Sequence, residues 1–197
     1  MRWKYAAART CLPLACAALT VALPSPAGAR TAPSGLPYSS ASARVVQAQP
    51  APGSCHARGR TAEAQLPDPR CTPGAVNPAV SQGTIANTIC RSGWTRTVRP
   101  SSAITRQEKL RSLLAYGERE ASRYEYDHLV PLELGGAVND ARNLWPELDD
   151  PSPGSYTNPK DRLETVLKHR VCNGQMPLAE AQRLIARDWV AADRRFG

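Results

Sequence analysis

The 197-residue chain has one Phe, two Met, three His and no Cys-x-x-Cys pair. Without paired thiols, a structural zinc site of the finger or ribbon kind is excluded. No Gly-x-Ser-x-Gly, His-Glu-x-x-His or glycine-rich dinucleotide pattern occurs, which removes serine hydrolases, zincins and Rossmann enzymes. No internal repeat occurs, and beyond residue 29 no apolar run is long enough to cross a membrane. Acidic residues are also short, 17 Asp and Glu against 25 Lys and Arg, for a net charge of +8. A basic surface suits a polyanion such as nucleic acid, although it also serves solubility.

Residues 1–29 have the form of a signal peptide. Arg2, Lys4 and Arg9 are its charged start, Cys11 to Leu23 its short apolar stretch, and Ala27-Gly28-Ala29 its cleavage site. A lipoprotein reading at Leu14-Ala15-Cys16 fits less well, because the apolar run continues past the Cys. Cleavage removes three cations and no acid, which lowers the charge from +8 to +5. The expected product is a secreted, extracellular monomer with no membrane attachment. Four cysteines remain, Cys55, Cys71, Cys90 and Cys172. An even count in an oxidising compartment reads as disulfides. Three pairings are possible; Cys55–Cys71 with Cys90–Cys172 is the one favoured.

Residues 30–69 are rich in Ala, Pro, Ser, Gly and Gln and poor in large apolar side chains. Such a composition buries little surface and predicts a flexible linker. The folded domain is expected over 70–197. Its readings are a helix over Pro78 to Cys90, a short strand over Trp94 to Val98, and a helix from the capping box at Thr105-Arg106-Gln107-Glu108 to Tyr116. Leu110, Leu113 and Leu114 would be that helix's apolar stripe. Strands follow at Tyr124 to Val130 and Asn143 to Trp145, then a loop over Leu148 to Thr157. Pro159 opens a helix buried through Leu163, Val166, Leu167 and Val171. A last helix from Pro177 carries a stripe of Leu178, Ala181, Leu184, Ile185, Trp189 and Phe196. The fold class read from this order is α+β.

The chemistry concentrates where the first strand ends, at Asp127-His128. A carboxylate beside an imidazole is what an enzyme needs to hold a divalent metal and deprotonate a water next to it. His56 lies in the expected linker and His169 near a helix end, so His128 is the candidate general base. An unperturbed imidazole titrates near pH ~6.5 and can accept a proton at neutral pH. Alternation along a strand sends successive side chains to opposite faces. For Asp127 and His128 to share a cleft, a bend or bulge is therefore required. Asn143 is expected to bond backbone groups across the loop and hold His128 in place.

The run Asp127-His128-Leu129-Val130-Pro131-Leu132-Glu133-Leu134-Gly135-Gly136, followed by Asn143-Leu144-Trp145-Pro146-Glu147, resembles the HNH endonuclease family over residues 124–171. The wider region from Cys71 onward resembles small secreted bacterial proteins carrying that core. The resemblance implies a ββα-metal fold, a β-hairpin and one helix gripping a single metal ion. It implies His128 as base, Asn143 as the middle residue of the signature, and Asp127 as a metal ligand. The third ligand falls on Asn158-Pro159-Lys160-Asp161, with Asn158 where the family has His. Asn before Pro, with Asp three residues on, is equally a helix N-cap. Asp161 or Glu164 are then the alternative ligands. Oxygen donors suit Mg²⁺, with Mn²⁺, Ca²⁺ or Zn²⁺ as alternatives.

Arg142 and Lys160 flank the site and could neutralise phosphate. Glu133 and Glu147 read as loop and strand-end carboxylates. The expectation is a metal-dependent nuclease acting on DNA or RNA with little base specificity. Its competitor is a secreted binding protein that keeps the HNH-like core without catalysis. A glycosidase using Glu133 and Glu147 is a third reading, for which no flanking geometry is visible.

Overall fold

The computed structural model describes residues 30–149 and 158–197. The leader at 1–29 lies outside the described residues, as do residues 150–157 of the loop expected over Leu148 to Thr157, while Leu148 belongs to a strand instead.

The architecture is mixed helix and strand, α+β. Helix α1 (Trp94–Val98) leads into α2 (Ser102–Ala115). Strands β1 (Tyr124–His128) and β2 (Leu144–Leu148) form one antiparallel pair, with Glu125 opposite Glu147 and His128 opposite Leu144. Helices α3 (Pro159–Cys172) and α4 (Leu178–Phe196) then pack on each other, and α3 covers the turn at Leu132–Leu134. Trp145, Trp189, Leu163, Leu167 and Ile185, each at most 1% exposed, fill the space between hairpin and helices. Tyr116 leans on Trp145, with ring centroids 6.4 Å apart.

Several local expectations are corrected. Trp94 to Val98 is a helical turn, not a strand. Among the described residues the sheet has two strands, β1 and β2, and Trp94–Val98 does not join it. Pro78 to Cys90 is a series of turns with one 3-10 turn at Ile85–Asn87, not a helix. Here Asn77 and Thr84 side chains accept the Ala79 and Ser81 amides, a local alternative to helical bonds. Val80 and Ile89 still reach the core. Helix α2 starts at Ser102 rather than Thr105. Of its expected stripe only Leu113 is buried; Leu110 and Leu114 are exposed.

The largest correction concerns residues 30–69, which pack against the domain rather than hang as a linker. Among its apolar residues Ala32, Cys55 and Ala62 are buried, and hydrogen bonds to distant residues hold the segment further. Ser39 donates to the Val76 carbonyl at 2.9 Å and Cys55 to the Ala115 carbonyl at 3.0 Å. The Leu148 amide donates to Gln65 Oε1 and the Trp189 indole to the Gln65 carbonyl, both at 2.9 Å. Disulfide Cys55–Cys71 ties the segment's end, and Cys90–Cys172 ties the turn region to α3. Both bridges are the favoured pairing. They suit an oxidising compartment, and among the described residues no helix is long and apolar enough to cross a membrane.

Candidate functional site

The loop between the strands is cinched by Asn143, which is fully buried. Its Nδ2 donates to the carbonyls of Val130 (3.0 Å) and Ala137 (3.1 Å), and its Oδ1 accepts from the amides of Val130 (3.0 Å) and Ala75 (3.4 Å). That uses the amide's full bonding capacity. Gly136 allows the crossing: a Cβ there would lie 1.7 Å from the Val130 carbonyl oxygen. The backbone bonds expected of Asn143 across the loop are present.

Fixing this loop sets the Val138 carbonyl 3.0 Å from His128 Nε2. A carbonyl can only accept, so Nε2 carries the proton and Nδ1 keeps the lone pair. Burial holds the imidazole below its usual pKa, against the opposing pull of Asp127. The ring is therefore neutral at neutral pH with Nδ1 available as a base. His128 borders a cleft of about 480 Å³ that is also lined by Arg99, Arg106 and Lys109.

No bulge occurs at Asp127-His128, where the register is regular. Asp127 accordingly faces α3 rather than the His128 side. On the α3 face, Glu125 and Asp127 are two apart on β1, and Glu147 lies across on β2. One oxygen from each lies within 4.8 Å of the others. Into this group α3 sends Lys160, which is fully buried. Its ammonium contacts Asp127 at 2.5 Å, the Glu147 carboxylate at 3.4 Å, the His128 carbonyl at 3.2 Å, and Glu164 one turn along the helix.

Three carboxylates thus share one ammonium, with Glu125 beside Asp127 as a fourth carboxyl group in the cluster. Burial opposes Lys160's charge, but the three carboxylates it touches more than offset that and raise its pKa. Burial likewise opposes the Asp127 charge, yet Lys160 keeps that carboxyl below its usual range. The rest are under-neutralised. Burial and the Asp127 charge push Glu125 up to about 7, burial pushes Glu164 up to about 8, and burial raises Glu147 well above its normal value. Neither oxygen of Glu147 has a hydrogen bond.

One expected phosphate ligand is corrected, and the other is engaged by a neighbour. Lys160 is enclosed by carboxylates and has no exposed atom to offer. Arg142 forks onto its neighbour Asp140 at 3.0 and 2.6 Å, and Asp140 also accepts from Ser39, so this pair staples the loop to the N-terminal segment. Asn158 is a helix cap: it forms a capping box with Asp161 at the start of α3. Its Nδ2 also donates to Glu125 at 2.9 Å, which places it at the rim of the carboxylate group. Glu133 pairs with Lys168 on α3, and His169 is exposed.

Glu125 was not singled out in the sequence, and Glu147 was read as a plain strand-end carboxylate. The Glu-x-Asp spacing at 125 and 127 already puts two carboxylates on one strand face. The i,i+4 spacing of Lys160 and Glu164 is also visible. Glu147 needs the hairpin register, which the sequence does not print. No family model, curated protein or solved structure matches the chain. The site must therefore be read from its own geometry.

Proposed function

We propose that this protein is a secreted HNH-type nuclease: a metal-dependent hydrolase of phosphodiester bonds in DNA or RNA, with β1, β2 and α3 as a ββα-metal core. The observation that carries the reading is His128. Its imidazole is turned by the Val138 carbonyl so that the basic nitrogen stays free, beside a cleft bordered by arginine. In this reading Nδ1 takes the proton of the attacking water, and Arg99 and Arg106 hold the negative phosphate in the cleft.

The carboxylate group fits a hard divalent cation. Its donors are all oxygens, and Lys160 is the one cation that touches it among the described residues. Glu147 also has two oxygens with no hydrogen bond. Asp127, Glu125 and Glu147 would hold the ion, with Asn158 at the rim. Bound there, on the α3 face of β1, Mg²⁺ or a similar ion would offset the carboxylate charge behind the His128 cleft. The cleft is lined by cations that would meet the phosphate backbone, so little sequence preference is expected.

A second reading is favoured by the Lys160 ammonium itself. A binding protein could keep the core and use the lysine as sole counter-ion. Two variants separate the readings. His128→Ala should bind Mn²⁺ like the wild type yet cleave about 10²–10⁴-fold more slowly. Asp127→Ala should need far more metal for whatever activity remains. Wild-type protein that takes up no Mn²⁺ in calorimetry and cleaves nothing favours the binding protein.

A further inference from the structure

Behind the His128 side of β1 lies a buried carboxylate that the proposed reaction does not use. Glu108, on α2, is 0% exposed. Its Oε1 accepts from the Gln47 amide at 2.6 Å and from Asn139 Nδ2 at 3.1 Å; its Oε2 has no partner. Asn139, 1% exposed, also donates from Nδ2 to the carbonyls of Ser42 (3.2 Å) and Val45 (3.0 Å). Gln49 reaches on to the Tyr126 hydroxyl at 3.1 Å.

Val138 and Asn139 share one peptide unit. The carbonyl of that unit is the acceptor for His128 Nε2, and its far side is anchored through the Asn139 side chain. Rotation of this peptide would carry the oxygen away from the imidazole. A helix interior is a costly place for a carboxylate with an unpaired oxygen. Stability alone would favour an apolar residue there, so the position calls for a use of its bonds.

We infer that Glu108 is a positioning residue for His128. It clamps Asn139 and the 42–47 strap together, and so fixes the Val138 carbonyl that selects the imidazole tautomer. The inference rests on the nuclease reading for its consequence in catalysis, but the tautomer itself can be observed without activity. Burial raises the Glu108 pKa. A neutral amide of the same shape should therefore replace it.

The test uses the full mature chain, ¹⁵N-labelled, with an oligonucleotide and Mg²⁺. In Glu108→Ala the slowly exchanging Nε2–H signal of His128 should be lost. Turnover should fall by roughly 10- to 100-fold, the usual cost of losing a group that orients a site residue, with KM little changed. Glu108→Gln should restore both signal and turnover. If Glu108→Ala does not fold, Asn139→Ala severs the same link from the other side, and the same signal and turnover are read. A folded Glu108→Ala or Asn139→Ala that keeps the wild-type Nε2–H signal overturns the inference. So does a Glu108→Gln that loses it. Wild-type protein without cleavage defeats the nuclease reading but leaves the NMR result to decide the positioning.

Discussion

At the residue scale, the molecule turns on two buried polar side chains with opposite demands. Asn143 is fully satisfied, so its loss leaves main-chain groups of Val130 and Ala137 unpaired. At about 1–3 kcal/mol for each buried group left without a partner, Asn143→Ala should lower stability by several kcal/mol in urea denaturation. Lys160 is the only cation touching the carboxylate group among the described residues. Removing one partner of a buried charge cluster costs about 3–5 kcal/mol. Lys160→Met should therefore be strongly destabilised at neutral pH. If the group is a cation site, millimolar Mg²⁺ or Ca²⁺ should recover part of that loss. An unchanged urea midpoint with either variant contradicts the account of these residues.

At the scale of elements, the hairpin, α3 and α4 were legible because their signals are local. Pro159 with a capping Asn158 marks a helix start, and Leu178, Ala181, Ile185 and Trp189 keep one buried face. The two disulfides also follow the favoured pairing. What was not legible depends on partners distant in sequence. The alternating Trp94–Val98 run does not join the sheet, and the 30–69 segment owes its order to bonds and contacts with distant residues that composition does not reveal. The same limit explains why Lys160 read as a phosphate ligand: only the assembled hairpin encloses it in carboxylates.

The 30–69 segment carries a pH prediction of its own. Asp68 accepts from the Arg70 guanidinium and from the Arg70 and His56 amides, next to the Cys55–Cys71 bridge. Arg70 is the main reason its carboxyl titrates well below the usual range, against the cost of burial. An unfolded Asp titrates near ~3.9. Below that, the unfolded chain takes up the proton first, so this contribution is complete above about pH 4 and is lost as pH falls further. Thermal melts from pH 6 to pH 2 should show a steeper acid loss for the wild type than for Asp68→Asn. Parallel curves would rule out the contribution.

Across the whole molecule, the two bridges differ in reach. Cys90–Cys172 closes 82 residues and Cys55–Cys71 only 16. By chain entropy the longer loop is worth roughly 4–5 kcal/mol and the shorter about 3 kcal/mol. Cys90→Ser/Cys172→Ser should thus lower the urea midpoint more than Cys55→Ser/Cys71→Ser. The long bridge joins the turn region to the C-terminal end of α3, and α3 carries Lys160 and Asn158 at its other end.

The central claim is that this fold presents an oriented base to a phosphodiester with a cation held by the carboxylates behind it. A plasmid-nicking assay on the mature protein, run with Mg²⁺, with Mn²⁺ and with EDTA, tests it most directly. The account predicts nicking with either metal, none with EDTA, and far slower nicking with His128→Ala. Intact plasmid with every metal, alongside an equally inert single-stranded DNA and RNA control, would contradict it.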